Sequence, residues 1–277
     1  MISRNCIATA VIALGAALPA HAEEKPLWEA GLGVGALSFP AYRGSDESHL
    51  YPVPIPYFVY RGDFFKADRD GVRGRLLDER YAELNISLNA TIPVDSSGND
   101  ARRGMPDLKP TVELGPSLNL HLWRSTDEQV KFDLVMPLRI PITLEASPQV
   151  IGWVFSPRLN LDIENVAGQQ GWDFGIGIGP VYADHKFHEY FYSVAPEYAT
   201  PERPAYDASG GYSGMHVLTA LSKRFPTYWV GAYLRYDSLS GAVFDDSPLV
   251  RTRHYLAGGF GIAWMIGQSK RMVESDD

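Results

Sequence analysis

The first places where this chain could do chemistry are its histidines. The run His185-Lys186-Phe187-His188-Glu189 sets metal-ligand donor types within one turn or strand end, a spacing compatible with a tetrahedral metal site. In a Tyr-rich connecting segment the same side chains read more simply as solvated groups near lipid headgroups. His121 and His216 sit among strand-like neighbours. A lipid-cleaving barrel would carry such a His on its outer surface, beside a Ser and oriented by a carboxylate, yet no Ser is distinctively paired with either. Gly175-x-Gly177-x-Gly179 resembles a phosphate loop, but it alternates with Phe174, Ile176 and Ile178 and no helix follows. It is therefore a strand with a smooth face. No catalytic residue, metal site or cofactor is expected. What remains is a set of charges of both signs, Glu83, Glu113, Lys131, Asp133, Arg139, Arg158, Asp162, Asp173, Arg235 and Asp237. These are the candidates for a lumen, where they either pair across strands or line a polar solute path.

The elements that would position them alternate with period two. From Glu83 to Ile92 the even positions Leu84, Ile86, Leu88, Ala90 and Ile92 are apolar and the odd positions polar, which is a strand with two unlike faces. The same pattern runs from Thr111 to Leu122, Val130 to Ile140, Ile151 to Ile163, Trp172 to Tyr182, Tyr228 to Asp237 and Leu256 to Ile266, and in Trp28 to Ser38. Weaker segments are Leu50 to Tyr60, Phe64 to Asp68, Val72 to Leu77 and Met215 to Phe225. Alternation alone suits a soluble sandwich as well as a membrane barrel. Three features favour the barrel. The eight clear segments are as long as a tilted bilayer span of about 9 to 11 residues, or longer. Their apolar faces carry no Lys, Arg, Asp or Glu, as expected where a midplane Lys or Arg costs roughly 2 to 4 kcal/mol. Trp172 and Tyr182 share one face at opposite strand ends, a separation of about 25 Å in height, which is that of two aromatic girdles.

Composition agrees. The chain has 277 residues, 45% hydrophobic and 21% charged, with a mean hydropathy of -0.15, which excludes a bundle of apolar transmembrane helices. A net charge of -8 argues against nucleic acid as a partner. Residues 1–22 read as a cleaved signal peptide: Arg4, the apolar run Cys6 to Leu18, then Ala20-His21-Ala22. The single Cys leaves with it, so disulfides and thiolate chemistry are not expected in the mature protein. The domain plan is a signal peptide over 1–22, a barrel over 23–266 and a polar tail over 267–277 expected to lack regular structure.

Short connections, Arg124 to Glu128, Asn165 to Gly171 and Pro226-Thr227, alternate with long ones, Val94 to Leu108, Asp184 to Ser213 and Ser240 to His254. This is the pattern of periplasmic turns and outward loops. The fold class expected is an all-β antiparallel transmembrane barrel of the outer membrane of a Gram-negative bacterium, of about 12 strands, or about 10 if the hairpin near Phe64 is left out. Outer-membrane lipid is its expected surround.

Pro40-Ala41-Tyr42-Arg43-Gly44-Ser45 and Tyr51-Pro52-Val53-Pro54-Ile55-Pro56-Tyr57 resemble the opening of the MipA/OmpV family of outer-membrane proteins. So do Tyr190-Phe191-Tyr192-Ser193-Val194, Tyr206, Tyr236-Asp237-Ser238-Leu239-Ser240-Gly241-Ala242 and Asp246-Ser247-Pro248-Leu249-Val250. The residues singled out by the resemblance are Tyr42, Gly44, Tyr190, Tyr192, Tyr236, Asp246, Ser247 and Pro248. It implies a non-enzymatic barrel that acts as a scaffold between a lytic transglycosylase and a murein synthase, or as a porin-like or adhesive protein. The chain departs from the usual barrel ending, because Ile266 is followed by polar residues rather than closing on a terminal aromatic.

Overall fold

Alternation becomes antiparallel strand along most of the chain. The computed structural model describes residues 23–61, 65–68, 71–74, 77–79 and 81–275. The expected signal segment 1–22 lies outside the described residues, as do Phe64 and 276–277. In chain order the elements are β1 (Glu23–Pro26), β2 (Trp28–Pro40), β3 (Ser48–Arg61), β4 (Phe65–Asp68), β5 (Gly71–Gly74), β6 (Leu77–Glu79), β7 (Ala82–Thr91), β8 (Thr111–Arg124), β9 (Val130–Thr143), β10 (Val154–Phe155), β11 (Arg158–Ile163), β12 (Trp172–Ala183), α1 (His185–Tyr192), β13 (Gly211–Arg224), β14 (Tyr228–Ser238), β15 (His254–Gln268) and β16 (Met272–Ser275). Among the described residues no helix is long and apolar enough to cross a membrane.

The main sheet runs β5-β4-β3-β2-β15-β14-β13-β12-β10-β9-β8-β7-β6, with β11 between β12 and β9. Every ladder in it is antiparallel, and the first and last long strands, β2 and β15, pair from Glu29 against Gln268 to Ser38 against Gly258. β5, at one end of the path, lies beside β7, the last strand but one at the other. Consecutive antiparallel strands place successive connections at opposite ends. The turns at 125–129, 164–171 and 225–227 therefore share one end with β1 and β16, and 41–47, 92–110, 144–153, 184–210 and 239–253 share the other. These are called here the turn end and the loop end.

Burial inverts the rule for water-soluble domains, in which apolar side chains are inside. Leu32, Val34, Leu256, Phe260 and Ile266 are exposed, Ile266 at 76%, whereas Glu29, Glu83, Asn85, Glu113 and Asp237 are buried, Asp237 completely. A sheet that hides its carboxylates and presents leucines suits a hydrocarbon surround.

Two expectations are corrected. The segment Ile151 to Ile163 was expected as one strand; it is broken into β10 and β11, because Pro157 has no N–H for the ladder and Gly152 turns the chain with a φ of +110°. The tail was expected to lack regular structure. Instead β15 continues to Gln268, and β16 pairs with β1 in a separate two-stranded sheet, Glu24 opposite Glu274 and Lys25 opposite Val273. The reason is tertiary: β2 and β15 are neighbours, so the segments flanking them leave the barrel side by side. Backbone bonds Leu27 N–H to Arg271 O and Ser269 N–H to Trp28 O, both 2.8 Å, hold the crossing.

Candidate functional site

At the loop end the long connections fold on one another into a cap with a core of its own. Tyr42, Val94, Leu108, Tyr192, Leu239 and Phe244 form its centre, and Ala101, Val194 and Leu249 a second cluster beside it. The residues come from four separate connections, so the cap exists only once the strands have brought those connections together.

Helix α1 shows how the sequence does this locally. Asp184 caps it, its carboxylate accepting from Phe187 N–H at 3.1 Å and from Trp153 N–H at 3.1 Å, as N-cap residues do. The spacing i, i+4 then points His188 and Tyr192 inward. Tyr192 stacks on Phe244 at 3.7 Å between centroids and 10° between planes, and His188 meets the same ring edge-on at 4.6 Å. His188 Nδ1–H donates to Ser209 O at 2.6 Å, and its Nε2 accepts from the Ser213 hydroxyl at 2.5 Å. Burial holds this imidazole below the ordinary His range, so it is neutral. With both ring nitrogens bonded to protein oxygens, the metal reading of the run at 185–189 loses one of its ligands. His185 is likewise bonded, through Nδ1 to Ala208 O at 2.8 Å.

All of the residues singled out by family resemblance except Tyr236 gather here; Tyr236 is exposed on the outer face of β14. The Tyr42 hydroxyl donates to Leu249 O at 2.7 Å, and burial pushes that phenol up. Gly44 O accepts from Arg251 N–H at 2.8 Å and Thr252 N–H at 3.0 Å, at a φ of +98° that favours glycine. The Tyr190 hydroxyl accepts from Lys109 N–H at 2.7 Å, and the Tyr192 hydroxyl donates to Arg43 O at 3.0 Å. Asp246 accepts from the Tyr206 hydroxyl at 2.6 Å. The Ser247 hydroxyl donates to Tyr192 O at 2.7 Å, and Pro248 leads from it into buried Leu249. Arg102 spans the seam, donating to Phe191 O at 3.1 Å and Pro106 O at 3.2 Å. Arg43 latches the cap to the wall, its Nε 3.2 Å from Asp237 Oδ1, while Arg235 Nε lies 2.6 Å from Oδ2 of the same carboxylate.

Below the cap the charges of the strands pair on the buried face. Arg139 Nε donates to Glu113 at 3.0 Å and its other nitrogens reach Ser87 at 3.3 Å and Ser156 at 3.1 Å. Asp133 is held by Arg124 at 2.7 Å and by His121 at 3.1 Å, and Lys131 by Glu164 at 2.9 Å. Arg224 pairs with Glu29, and Asp162 accepts from Asn160 at 2.7 Å. Glu83, Arg158 and Asp173 are also engaged. The predicted set therefore separates into local pairs along the wall and does not converge on one centre; only Arg235 and Asp237 join the cap latch.

A constellation that the sequence reading missed lies on the opposite, exposed face. Ser240 Oγ is 3.2 Å from His254 Nε2, and the Tyr236 hydroxyl is 2.9 Å from His254 Nδ1, with the two ring planes parallel to within 4° and their centroids 6.0 Å apart. Sequence reasoning weighed His121 and His216 for such a role. The available signal was Ser240 inside the Tyr236–Ala242 motif, but its His stands at the far side of the loop.

Fold and site together define an outer-membrane β-sheet protein of barrel type, with a folded cap at its loop end. Within that class the chain belongs to the MipA family: the family model described as MltA-interacting protein MipA matches residues 32–266. A search of curated proteins finds no match. Among solved structures the chain is similar to the toluene transporter TodX of Pseudomonas putida, at 10% identity, 90% of this chain, 68% of that chain and a TM-score of 0.28. It is also similar to the toluene transporter TbuX of Ralstonia pickettii, at 10% identity, 90% of this chain, 71% of that chain and a TM-score of 0.24.

Proposed function

We propose that this protein is a scaffold of the outer membrane whose turn end faces the periplasm and docks a murein-remodelling enzyme, a lytic transglycosylase and through it a murein synthase. The observation that carries this reading is the β1–β16 sheet. The turns at that end are short and offer little surface, whereas β1 and β16 add a two-stranded sheet separate from the main one. Each of its two strands has a single ladder partner among the described residues, so each keeps an outer edge to which another chain can add a strand. The MltA-interacting name of the family fits such a partner. The packed cap and the paired charges of the buried face favour a closed, structural barrel over a conducting one; the buried face is read as the lumen.

The test is capture from envelope extracts with the full-length protein, compared with Val273→Pro, which removes one N–H from the β16 backbone. A murein hydrolase or synthase recovered with the native chain and lost with the variant supports the scaffold. Recovery of neither enzyme while a control bait works, or equal recovery by the variant, refutes it.

A further inference from the structure

We propose that Ser240, His254 and Tyr236 form a hydrolytic site on the outside of the barrel wall, acting on ester-linked acyl chains of membrane lipid. A hydroxyl nucleophile needs a base within hydrogen-bond reach and a third group that orients the base. Ser240 Oγ faces His254 Nε2 at 3.2 Å, and Tyr236 Oη stands 2.9 Å from Nδ1. In the productive tautomer the Nδ1 proton is donated to the Tyr236 oxygen, leaving the Nε2 lone pair for the Ser240 hydroxyl.

Their place in the fold names the substrate class. On β14 and β15 the exposed row reads Leu234, Tyr236 and then, across the ladder, Leu256 and His254. Leu234 is 52% exposed, Leu256 59% and Phe260 67%, so this row is the lipid face, and Tyr236 and His254 stand where it meets the cap. Ser240 follows on an exposed tight turn, closed by Ala242 N–H to Leu239 O at 2.9 Å. Gly241, with a φ of +75°, lets the chain turn directly after the nucleophile, and a side chain there would meet nothing within 4 Å. The turn is therefore open to a headgroup while an acyl chain lies along the leucines below. The Ser240 N–H, which makes only a long 3.4 Å approach to Ser238 Oγ, is placed to donate to the developing oxyanion.

The reaction runs in two balanced halves. Ser240 Oγ bonds to the ester carbonyl carbon as His254 Nε2 takes its proton. The carbon–alkoxy bond then breaks, and the leaving alcohol receives that proton. Water next attacks acyl-Ser240, giving its proton to His254 Nε2, and the Ser240 oxygen recovers it as the fatty acid leaves. Tyr236 is a positioning residue. This site is independent of the scaffold reading, and uses only the orientation that puts the loop end outside.

The experiment incubates the full-length protein, folded in detergent micelles, with a long-chain alkyl fluorophosphonate, and separately with p-nitrophenyl palmitate, phosphatidylethanolamine vesicles and lipopolysaccharide. Phosphonylation at Ser240, found by peptide mapping, and ester turnover that falls about 100-fold or more in Ser240→Ala and His254→Ala are the expected results. Tyr236→Phe keeps the Ser240 adduct but lowers turnover, with the loss in kcat and not in KM, because the imidazolium that forms during the reaction loses its acceptor. Turnover of vesicles or of lipopolysaccharide tells which lipid supplies the ester. No adduct on Ser240 together with no turnover of any ester, or turnover undiminished in Ser240→Ala, overturns the proposal.

Discussion

Asp237→Asn is the sharpest test of how the cap is held. Asp237 is fully buried at the end of β14, between Arg43 of the 41–47 connection and Arg235 of its own strand, at 3.2 and 2.6 Å. Removing one member of a buried pair costs about 3 to 5 kcal/mol where the charge left behind cannot be rehydrated. Here the two guanidinium side chains keep 22% and 37% exposure. Solvent screens part of the loss, so about 2 to 3 kcal/mol is the expected value. At about 1.4 kcal/mol per tenfold, that raises the open population of the cap by roughly 30- to 150-fold. Proteolysis follows that population when opening and closing are fast. The assay is therefore limited proteolysis of the folded protein in detergent, scored by cleavage within 184–210, with hydrogen exchange of the β2 and β15 amides as the control for the wall. Cleavage accelerated less than about threefold refutes the latch, and so does equal deprotection of β2 and β15, since that is global unfolding.

Phe244→Ala removes the ring on which Tyr192 and His188 pack, and should loosen the cap by about 3 to 5 kcal/mol, read as a lower near-ultraviolet melting transition with the strand signal unchanged. The His188 imidazole is held below its ordinary value by burial. An opened cap therefore binds more protons than a closed one, and this contribution is full above the ordinary His range of about 6.5 and lost as pH falls below it. Cap exchange should accelerate as pH falls from neutral towards 5, and His188→Gln should flatten that dependence. Gly44→Val is expected to destabilise the cap by about 1 to 3 kcal/mol, from strain at positive φ and from a Cβ only 3.0 Å from Leu239 Cδ1. Thermal melts compared with Gly98→Val, whose Cβ meets nothing within 4 Å, separate this from a general glycine effect.

The wall was legible in the sequence because its physics is local. Side-chain parity along a strand depends on nothing but the two-residue repeat, so Ile86 and Leu88 outside with Glu83 and Asn85 inside follow from reading Glu83 to Ile92. The break at Pro157 was legible too, but the strength of the flanking alternation hid it. The motif residues Tyr42, Tyr192 and Ser247 could be picked out by family resemblance, though not their common destination. The Ser247 hydroxyl meets Tyr192 O across 55 residues and the Tyr42 hydroxyl meets Leu249 O across 207, and no periodicity encodes such distances. The same holds for Ser240 and His254, 14 residues apart, which meet because β14 and β15 bring the two ends of one loop together.

By itself, then, the sequence determined what each strand needs on either side: hydrocarbon against Leu234, Leu256 and Phe260, and partners for Glu113, Arg139 and Asp237. Which partners those are, that the long connections pack into a cap, and that the polar tail finds β1 were decided only by the tertiary structure. The physical reason is that an apolar face needs only the right kind of surround, which composition and parity express. A buried charge or an unpaired strand edge is satisfied only by a specific group in a specific place, and the closing of the fold puts it there.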